Sequence, residues 1–209
     1  MEESQEIMKE YVKNLEERLA DADKQIEDLK HKSVRDELTG AYNRNYYENN
    51  KVKLISEALE EKQTLGMYIF DLNGLKYVND NFGHEKGDKI LKDFVKILNS
   101  TFRKNAEIIR LGGDEFGVID RKVSDKTEIK TIGRLNENIA LYNKHSNKDI
   151  NYQLSCSEGY IEVDLSKKNA FESAFGIADD KMYKQKYVFR LRNLLVNHIN
   201  KINYSNINK

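Results

Sequence analysis

The chain has 209 residues, which suits one domain of ordinary size with some additional helix. Its 35 basic and 35 acidic residues leave no net charge, which argues against a basic surface for nucleic acid. The single cysteine, Cys156, excludes a disulfide framework within the chain, and its apolar neighbours indicate a packed strand. Since no segment has the ~18 to 20 apolar residues of a membrane span, we expect a cytoplasmic protein.

Residues 1–33 contain no glycine and carry apolar side chains at heptad spacing. One heptad position is mostly β-branched and the other mostly leucine, which favours a parallel two-stranded coiled coil. These positions are Val12, Leu19 and Ile26, and Met8, Leu15, Ala22 and Leu29. Such a coil would place two copies of the following domain side by side. The alternative is a single amphipathic helix packed on its own domain.

The rest of the chain alternates between helical and strand patterns, separated by glycines and capping residues. Helices are predicted over 44–62, 76–81, 87–103 and 124–144, and from about 169 into the tail. Strands are predicted over Leu65–Phe70, Glu107–Leu111 and Phe116–Asp120, and within 150–163. This order predicts an α+β sandwich with one largely antiparallel sheet covered by helices.

Two acidic clusters fall at the ends of predicted strands: Asp71 after the first strand, and Asp114 with Glu115 in the hairpin. In a split β-α-β-β arrangement the first strand lies beside the hairpin, so these carboxylates converge. Converging carboxylates need a cation, and Mg²⁺ binds one or two carboxylates together with substrate phosphates. Two such metals would suit phosphoryl transfer. Alternatively, residues 71–74 form only an Asx-type turn and residues 112–115 only a hairpin loop.

The pentapeptide Gly112-Gly113-Asp114-Glu115-Phe116 resembles the signature of the GGDEF family, the diguanylate cyclases, and four further blocks accompany it in order. They are Asp36-Glu37-Leu38-Thr39-Gly40 with Asn43-Arg44, Phe70-Asp71-Leu72-Asn73-Gly74-Leu75-Lys76 with Val78-Asn79-Asp80, Gly83-His84 with Gly87-Asp88 and Leu91, and Ala178-Asp179 with Met182-Tyr183 and Lys186. The resemblance implies a palm-like, ferredoxin-like fold in which each domain binds one GTP.

The resemblance also assigns metal ligands. Asp71 and Asp114 would hold Mg²⁺ or Mn²⁺ through their side chains, and Leu72 through its backbone carbonyl. Glu115 matches the family residue assigned either to metal contact or to activation of the ribose 3′-hydroxyl, and the sequence leaves that choice open. The metals would draw charge from the triphosphate and stabilise the departing pyrophosphate.

Further residues would contact the phosphates. The backbone amides of Asn73, Gly74 and Leu75 form a turn that can bind an anion. Lys186 and Arg190 match the family's phosphate-contacting pair, and their spacing places both on one helix face. Without the family match, these two cations would be ordinary solvated surface charges.

Base recognition rests on Asn79 and Asp88 by the same resemblance. The Asp88 carboxylate can accept hydrogen bonds from the ring N–H and the exocyclic amine of guanine, whereas adenine offers no amine there. GTP is therefore expected in preference to ATP. Leu38, Leu75 and Leu91 would form apolar walls of the slot, although each taken alone is more often plain core.

The sequence departs from the family at the product-binding Arg-x-x-Asp site, where Arg103 is followed by Ala106. Because alanine accepts no hydrogen bond from guanine, we expect weak or no product inhibition by this route. The predicted organisation is a coiled-coil helix over 1–33, a GGDEF domain over 34–190 and an amphipathic helical tail over 191–209.

These features predict a diguanylate cyclase that condenses two GTP molecules across a homodimer joined by the N-terminal coiled coil. An upstream sensor domain or a separate partner would supply activation. One alternative is a catalytically silent module that binds GTP or scaffolds a signalling complex. Another is a related cyclase that makes a mixed or adenine-containing dinucleotide, which Asp88 disfavours. We assign no chemistry to His84, for which capping or packing is the simpler role.

Overall fold

The computed structural model describes residues 9–23, 34–124, 126–146 and 152–207. The helices are α1 (residues 9–23), α2 (Arg44–Glu60), α3 (Leu75–Phe82), α4 (His84–Thr101), α5 (Thr127–Ser146) and α6 (Ala170–Ile207). The strands are β1 (Tyr42–Asn43), β2 (Leu65–Leu72), β3 (Glu107–Gly112), β4 (Glu115–Arg121) and β5 (Cys156–Glu162). Within these residues, no helix is both long enough and apolar enough to cross a bilayer.

The five strands form one sheet in the order β1-β3-β4-β2-β5. The pairs β3–β4, β4–β2 and β2–β5 are antiparallel, whereas β1 runs parallel to β3. The four longer strands have the ferredoxin-like arrangement, so the predicted α+β fold is confirmed. The parallel edge strand β1 was not predicted, because its two residues are too short to show a strand pattern.

Apolar side chains alternate between the two faces of the sheet, because successive residues of a strand point to opposite sides. Helices α4 and α5 cover one face and helices α2 and α6 cover the other. The first core contains Tyr68, Phe70, Phe116 and Val118 with Ile90, Phe94, Leu98, Leu135 and Ile139. The second contains Met67, Ile69 and Ile119 with Leu54, Ala58, Phe171, Ala174, Ala178 and Met182. Strand β2 is buried along its whole length, and its C-terminal end carries the predicted site.

Strand β2 is longer than predicted, because it continues through Asp71 and Leu72 instead of stopping at Phe70. The neighbouring strands explain the extension: Asp71 pairs with Glu115 of β4 and with Ser157 of β5. Asp71 therefore lies within the sheet, between two strands, and not in a turn after it.

The N-terminal segment is helical over residues 9–23, and all fifteen of these residues are exposed. The coiled-coil positions Met8, Ile26 and Leu29 lie outside the described residues, and two-stranded pairing stays a prediction. At the other end of the chain, α6 continues without a break from the domain into the tail as far as Ile207.

Helix α6 contacts strand β5 most closely at Gly159. A β-carbon there would lie 1.9 Å from the Ala178 carbonyl oxygen and 2.7 Å from the Met182 nitrogen, both backbone atoms of α6. Backbone atoms of a packed helix cannot move aside as a flexible side chain would. Glycine at this position thus sets how closely α6 approaches the sheet.

We predict that Gly159→Ala lowers the free energy of unfolding by about 3 kcal/mol, because the added methyl group forces α6 away from β5. Gly176→Ala, within helix α6 itself, is the matched control. A β-carbon at Gly176 meets no atom within 4 Å, so alanine should stabilise the helix by about 1 kcal/mol. Urea unfolding of both variants measures the difference, and equal stabilities would contradict the proposed close packing.

Candidate active site

The two predicted acidic clusters lie next to each other in the structure. Asp71 pairs with Glu115 across the β2–β4 ladder, and the Leu72 N–H donates a hydrogen bond of 3.0 Å to the Asp114 carbonyl oxygen. Asp114 is half-buried and Glu115 is exposed, whereas Asp71 is only 1% exposed. The site therefore has a buried carboxylate at its base and two more accessible ones at its mouth.

The Asp71 carboxylate has one partnered oxygen and one unpartnered oxygen. Its Oδ2 accepts a hydrogen bond from Lys186 Nζ of α6, while its buried Oδ1 has no hydrogen-bond partner. Burial raises the pKa of Asp71, the Lys186 bond opposes that rise, and the negative charge of Asp114 adds to it. A buried carboxylate oxygen without a donor is costly, so this atom is well suited to bind a cation.

Negative charge accumulates at the mouth of the site as well. Burial raises the pKa of Glu115, and the charges of Asp71, Asp114 and Asp179 raise it further. Among the described residues, no three His, Cys, Asp or Glu side chains form a ready-made metal cluster. A hard divalent ion nonetheless fits this donor set, because Mg²⁺ characteristically takes one or two carboxylates and completes its shell with water and substrate phosphates.

The turn after β2 is held rigidly by residues next to β5. The Asn73 N–H donates to the Ser155 carbonyl oxygen at 2.9 Å, and Tyr152 Oη donates to the Asn73 carbonyl oxygen at 2.8 Å. The Asn73 side chain accepts a 3.1 Å bond from Ser157 Oγ. Asn73 therefore supports the structure. Its backbone N–H is already bonded to Ser155, so the expectation that it contacts a phosphate is wrong.

The other two amides of that turn lie where an anion can reach them. Gly74 has a positive φ of 76° and is the N-cap of α3, and Leu75 is the first residue of that helix. N–H groups in the first turn of a helix have no partner within the helix, and the helix dipole favours an anion there. Gly74 and Leu75 thus remain candidates for phosphate contact.

The two predicted guanine-reading residues lie on α3 and α4, which pack against each other. A β-carbon at Gly87 would lie 1.9 Å from Asn79 Oδ1, so the Asn79 side chain rests against the residue that precedes Asp88. Asn79 and Asp88 are both half-buried and therefore accessible to a ligand.

The three predicted wall residues belong to one hydrophobic cluster. Leu75 and Leu91 are 7% and 4% exposed and serve mainly as core, while Leu38 is half-buried and packs against that core. Leu38 is thus the wall residue with the most surface left to contact a base.

Helix α6 supplies the cations of the site. Lys186 contacts Asp71, and the charge of Arg190, one turn further along, opposes the rise that burial causes in the pKa of Asp71. Arg190 is exposed, whereas Lys186 is already paired with Asp71.

Sequence reasoning missed Arg110, which joins the segment that enters the domain to the hairpin. Its guanidinium binds both Asp36 carboxylate oxygens, at 3.0 and 3.2 Å, and also donates to the Gly113 carbonyl oxygen at 2.8 and 3.2 Å. Asp36 additionally accepts bonds from the backbone and hydroxyl of Thr39. Arg110 therefore fixes the turn that carries Asp114. Its place two residues before Gly112 was the only sequence signal.

The Arg103 side chain is bonded to backbone carbonyls. Its Nη1 donates to the carbonyl oxygens of Arg121 and Lys122, at 2.6 and 3.0 Å, where β4 ends. Ala106, the other position of the degenerate inhibitory site, packs against the first core. Arg103 thus supports the end of a strand.

Comparison with known proteins identifies the family of the chain. The model of the family described as "Diguanylate cyclase, GGDEF domain" matches residues 33–190. The chain belongs to this family. Most of the described domain, including every predicted site residue, lies within the match.

Over the aligned region, two curated relatives are about one third identical to this chain. Diguanylate cyclase DgcS of Shewanella oneidensis is 32% identical over 163 residues, which are 78% of this chain and 52% of DgcS. Diguanylate cyclase DgcP of Escherichia coli K12 is 37% identical over 158 residues, which are 74% of this chain and 45% of DgcP. The chain thus spans about half the length of these relatives.

A solved structure shares the fold. The coiled coil and GGDEF domain of DgcB from Caulobacter crescentus, solved in complex with c-di-GMP, matches with a TM-score of 0.66 and 22% identity. The match covers 83% of this chain and 94% of that structure. It therefore includes a helix before the domain as well as the sheet.

We predict that Arg110 and Asp36 are energetically coupled by about 1 to 2 kcal/mol in a double-mutant cycle with alanine, because the ion pair is half-buried and Arg110 Nη1 bonds both carboxylate oxygens. Burial alone would raise the pKa of Asp36. The hydrogen bonds from Thr39 and Arg110 outweigh this effect and hold the pKa below its ordinary value of 3.8. The stabilisation is therefore present at neutral pH and disappears only as the pH falls below about 4.

Urea unfolding of the two single variants and the double variant measures this coupling. The exposed pair Lys184–Asp180, at 2.5 Å, is the control and should couple by only about 0.3 kcal/mol. Equal coupling in both pairs would show that Arg110 does not fix the hairpin.

Proposed function

We propose that this GGDEF domain is an active diguanylate cyclase, which condenses two GTP molecules into cyclic di-GMP and releases two pyrophosphates. The observation that carries the proposal is the buried Asp71, with an unpartnered oxygen, lying beside Asp114 in the hairpin. A domain that only scaffolds has no need for this arrangement, because a buried charge destabilises the fold. The curated relatives DgcS and DgcP, which carry the name diguanylate cyclase, support the same reading.

The residues suited to hold Mg²⁺ or Mn²⁺ are Asp71, Asp114 and the Leu72 carbonyl, with Glu115 at the mouth. When bound, such ions would offset the charge of the triphosphate and ease ionisation of a ribose 3′-hydroxyl. Glu115 lies at the exposed mouth of the site, where it would either contact a metal or accept a proton from that hydroxyl. The chain's own contribution is to keep these oxygens fixed before the substrate arrives.

Lys186 has two tasks in this proposal. In the free protein its ammonium neutralises Asp71. Once a nucleotide is bound, the same ammonium and Arg190, one helical turn away, would contact the phosphates from one side. The amides of Gly74 and Leu75 would contact them from the other side.

The base is selected between α3 and α4. Asp88 would accept hydrogen bonds from the ring N–H and amine of guanine, and Asn79 would bond the same base. Adenine presents a lone pair where guanine presents a donor, so it would leave the Asp88 carboxylate unpaired.

Two copies of the domain would act together. Each would bind one GTP, and each 3′-hydroxyl would attack the α-phosphate of the opposing nucleotide. One P–O bond would form and one would break at each phosphorus, with pyrophosphate leaving. The N-terminal helix of each copy would supply the pairing that brings the half-sites together.

The direct test is incubation of the chain with GTP, ATP and Mg²⁺, followed by mass analysis of the products. We expect cyclic di-GMP alone, and we expect Asp114→Asn to reduce its formation by ~100-fold or more, because a charge that binds metal is lost. Asp164→Asn, the same change at an exposed position, should leave synthesis unchanged.

Two other outcomes would contradict the proposal. Binding of GTP without turnover would indicate a silent module. An adenine-containing product would show that Asp88 does not select guanine.

A further inference from the structure

The half of α6 beyond the site has an apolar face without a partner among the described residues. On the inner side, Ala178 and Met182 are buried against the sheet, at 0% and 3% exposure. Further along, five large apolar residues recur at spacings of three and four and are 42% to 65% exposed. This α6 stripe consists of Tyr187, Leu191, Leu194, Leu195 and Ile199. An exposed row of this size marks a surface that another helix covers.

The charge of this segment restricts what the partner can be. From Lys181 to Lys209 the chain has seven lysines and arginines and no acidic residue. Two α6 segments paired with each other would bring like charges together along their flanks. The partner of the α6 stripe must therefore be acidic.

The N-terminal segment has the complementary properties. Residues 1–33 contain ten acidic and six basic residues. Within the described part, helix α1 exposes its apolar residues Tyr11, Val12, Leu15 and Leu19. At ~1.5 Å per residue, α1 is about 22 Å long and the α6 stripe spans about 18 Å, so the lengths match.

Both segments leave the domain at the edge that carries the site. The chain enters through Asp36, which Arg110 links to the hairpin carbonyl of Gly113. Helix α6 passes the same edge where Lys186 contacts Asp71. A contact between α1 and the α6 stripe would therefore lie beside the half-site and would influence how two half-sites face each other.

We propose that the α6 stripe of one copy is covered by the acidic α1 helix of a second copy, so that two α1 helices and two α6 segments form one four-helix bundle. In such a bundle each helix needs only one apolar face, directed to the common centre. If α1 covered the α6 stripe of its own chain, both exposed apolar faces would be buried within that chain. No apolar face of these two helices would then remain to hold two domains together. This inference rests on the proposed function, because a site that binds one GTP is incomplete without the opposing copy.

Charge reversal tests the bundle in the full chain, without nucleotide. We expect Arg192→Glu with Lys201→Glu to raise the dimer dissociation constant by about tenfold in sedimentation equilibrium. Adding Glu16→Lys and Asp21→Lys to that variant should restore the original value. Lys130→Glu with Lys144→Glu makes the same change of net charge on exposed positions of α5 and should have no effect. An unchanged dissociation constant in the first variant, or no restoration in the second, would overturn the proposal.

Cross-linking determines which copies contact each other. In a Cys156→Ser background, Leu15→Cys chains are mixed with differently sized Leu195→Cys chains and treated with a short bis-maleimide. We expect cross-links between the two sizes. Cross-links only in a chain that carries both cysteines, and none in the mixture, would overturn the proposal.

These outcomes are distinct from failure of the proposed function. A chain that forms the charge-dependent dimer but makes no cyclic di-GMP would contradict the enzymatic proposal alone. A chain that makes cyclic di-GMP, but whose dimer dissociation constant does not change when the α6 charges are reversed, would contradict the bundle alone.

Discussion

The proposed site is built around one unfavourable feature, a carboxylate buried between two strands of the sheet. Asp71 lies on β2, between β4 and β5, and is almost fully buried, with one oxygen bonded to Lys186 and the other unpartnered. Ionising such a group costs several kcal/mol unless opposite charge is brought to it. We propose that a cation and a triphosphate supply the opposite charge that Asp71 lacks in the free protein. Stability and function compete at this residue.

Much of the surrounding structure serves to hold groups in place around Asp71. Arg110 fixes the hairpin from one side, and Tyr152 and Ser157 fix the Asn73 turn from the other. Helix α6 brings Lys186 to the carboxylate, and Gly159 allows that helix to lie directly on the sheet. Few of these residues would touch a substrate. Their role is to remove the movement that would otherwise separate charges gathered from distant parts of the chain.

The sequence predicted the elements that depend on local pattern. The apolar periodicity of α4 and the hairpin glycines located the helices and strands of the sheet, and motif order located the acidic residues. The extension of β2 through Asp71 was not predictable, because it is imposed by pairing with β4 and β5 and an isolated acidic residue disfavours a strand. The backbone N–H of Asn73 was assigned to phosphate contact because no local sequence pattern shows that the Ser155 carbonyl oxygen accepts its hydrogen bond. The clamp between Arg110 and Asp36 joins residues 74 positions apart, a separation that no short-range pattern reports.

The central claim is that Asp71 binds a divalent ion together with a nucleotide. Calorimetric titration of Mn²⁺ into the chain saturated with 3′-deoxy-GTP, which has no attacking hydroxyl, tests this claim without turnover. The account predicts metal binding by the unsubstituted chain and its loss in Asp71→Asn, a change that keeps the shape of the side chain but removes its charge. If Asp71→Asn bound Mn²⁺ with unchanged affinity, the buried carboxylate would not be a metal ligand and the account would be wrong.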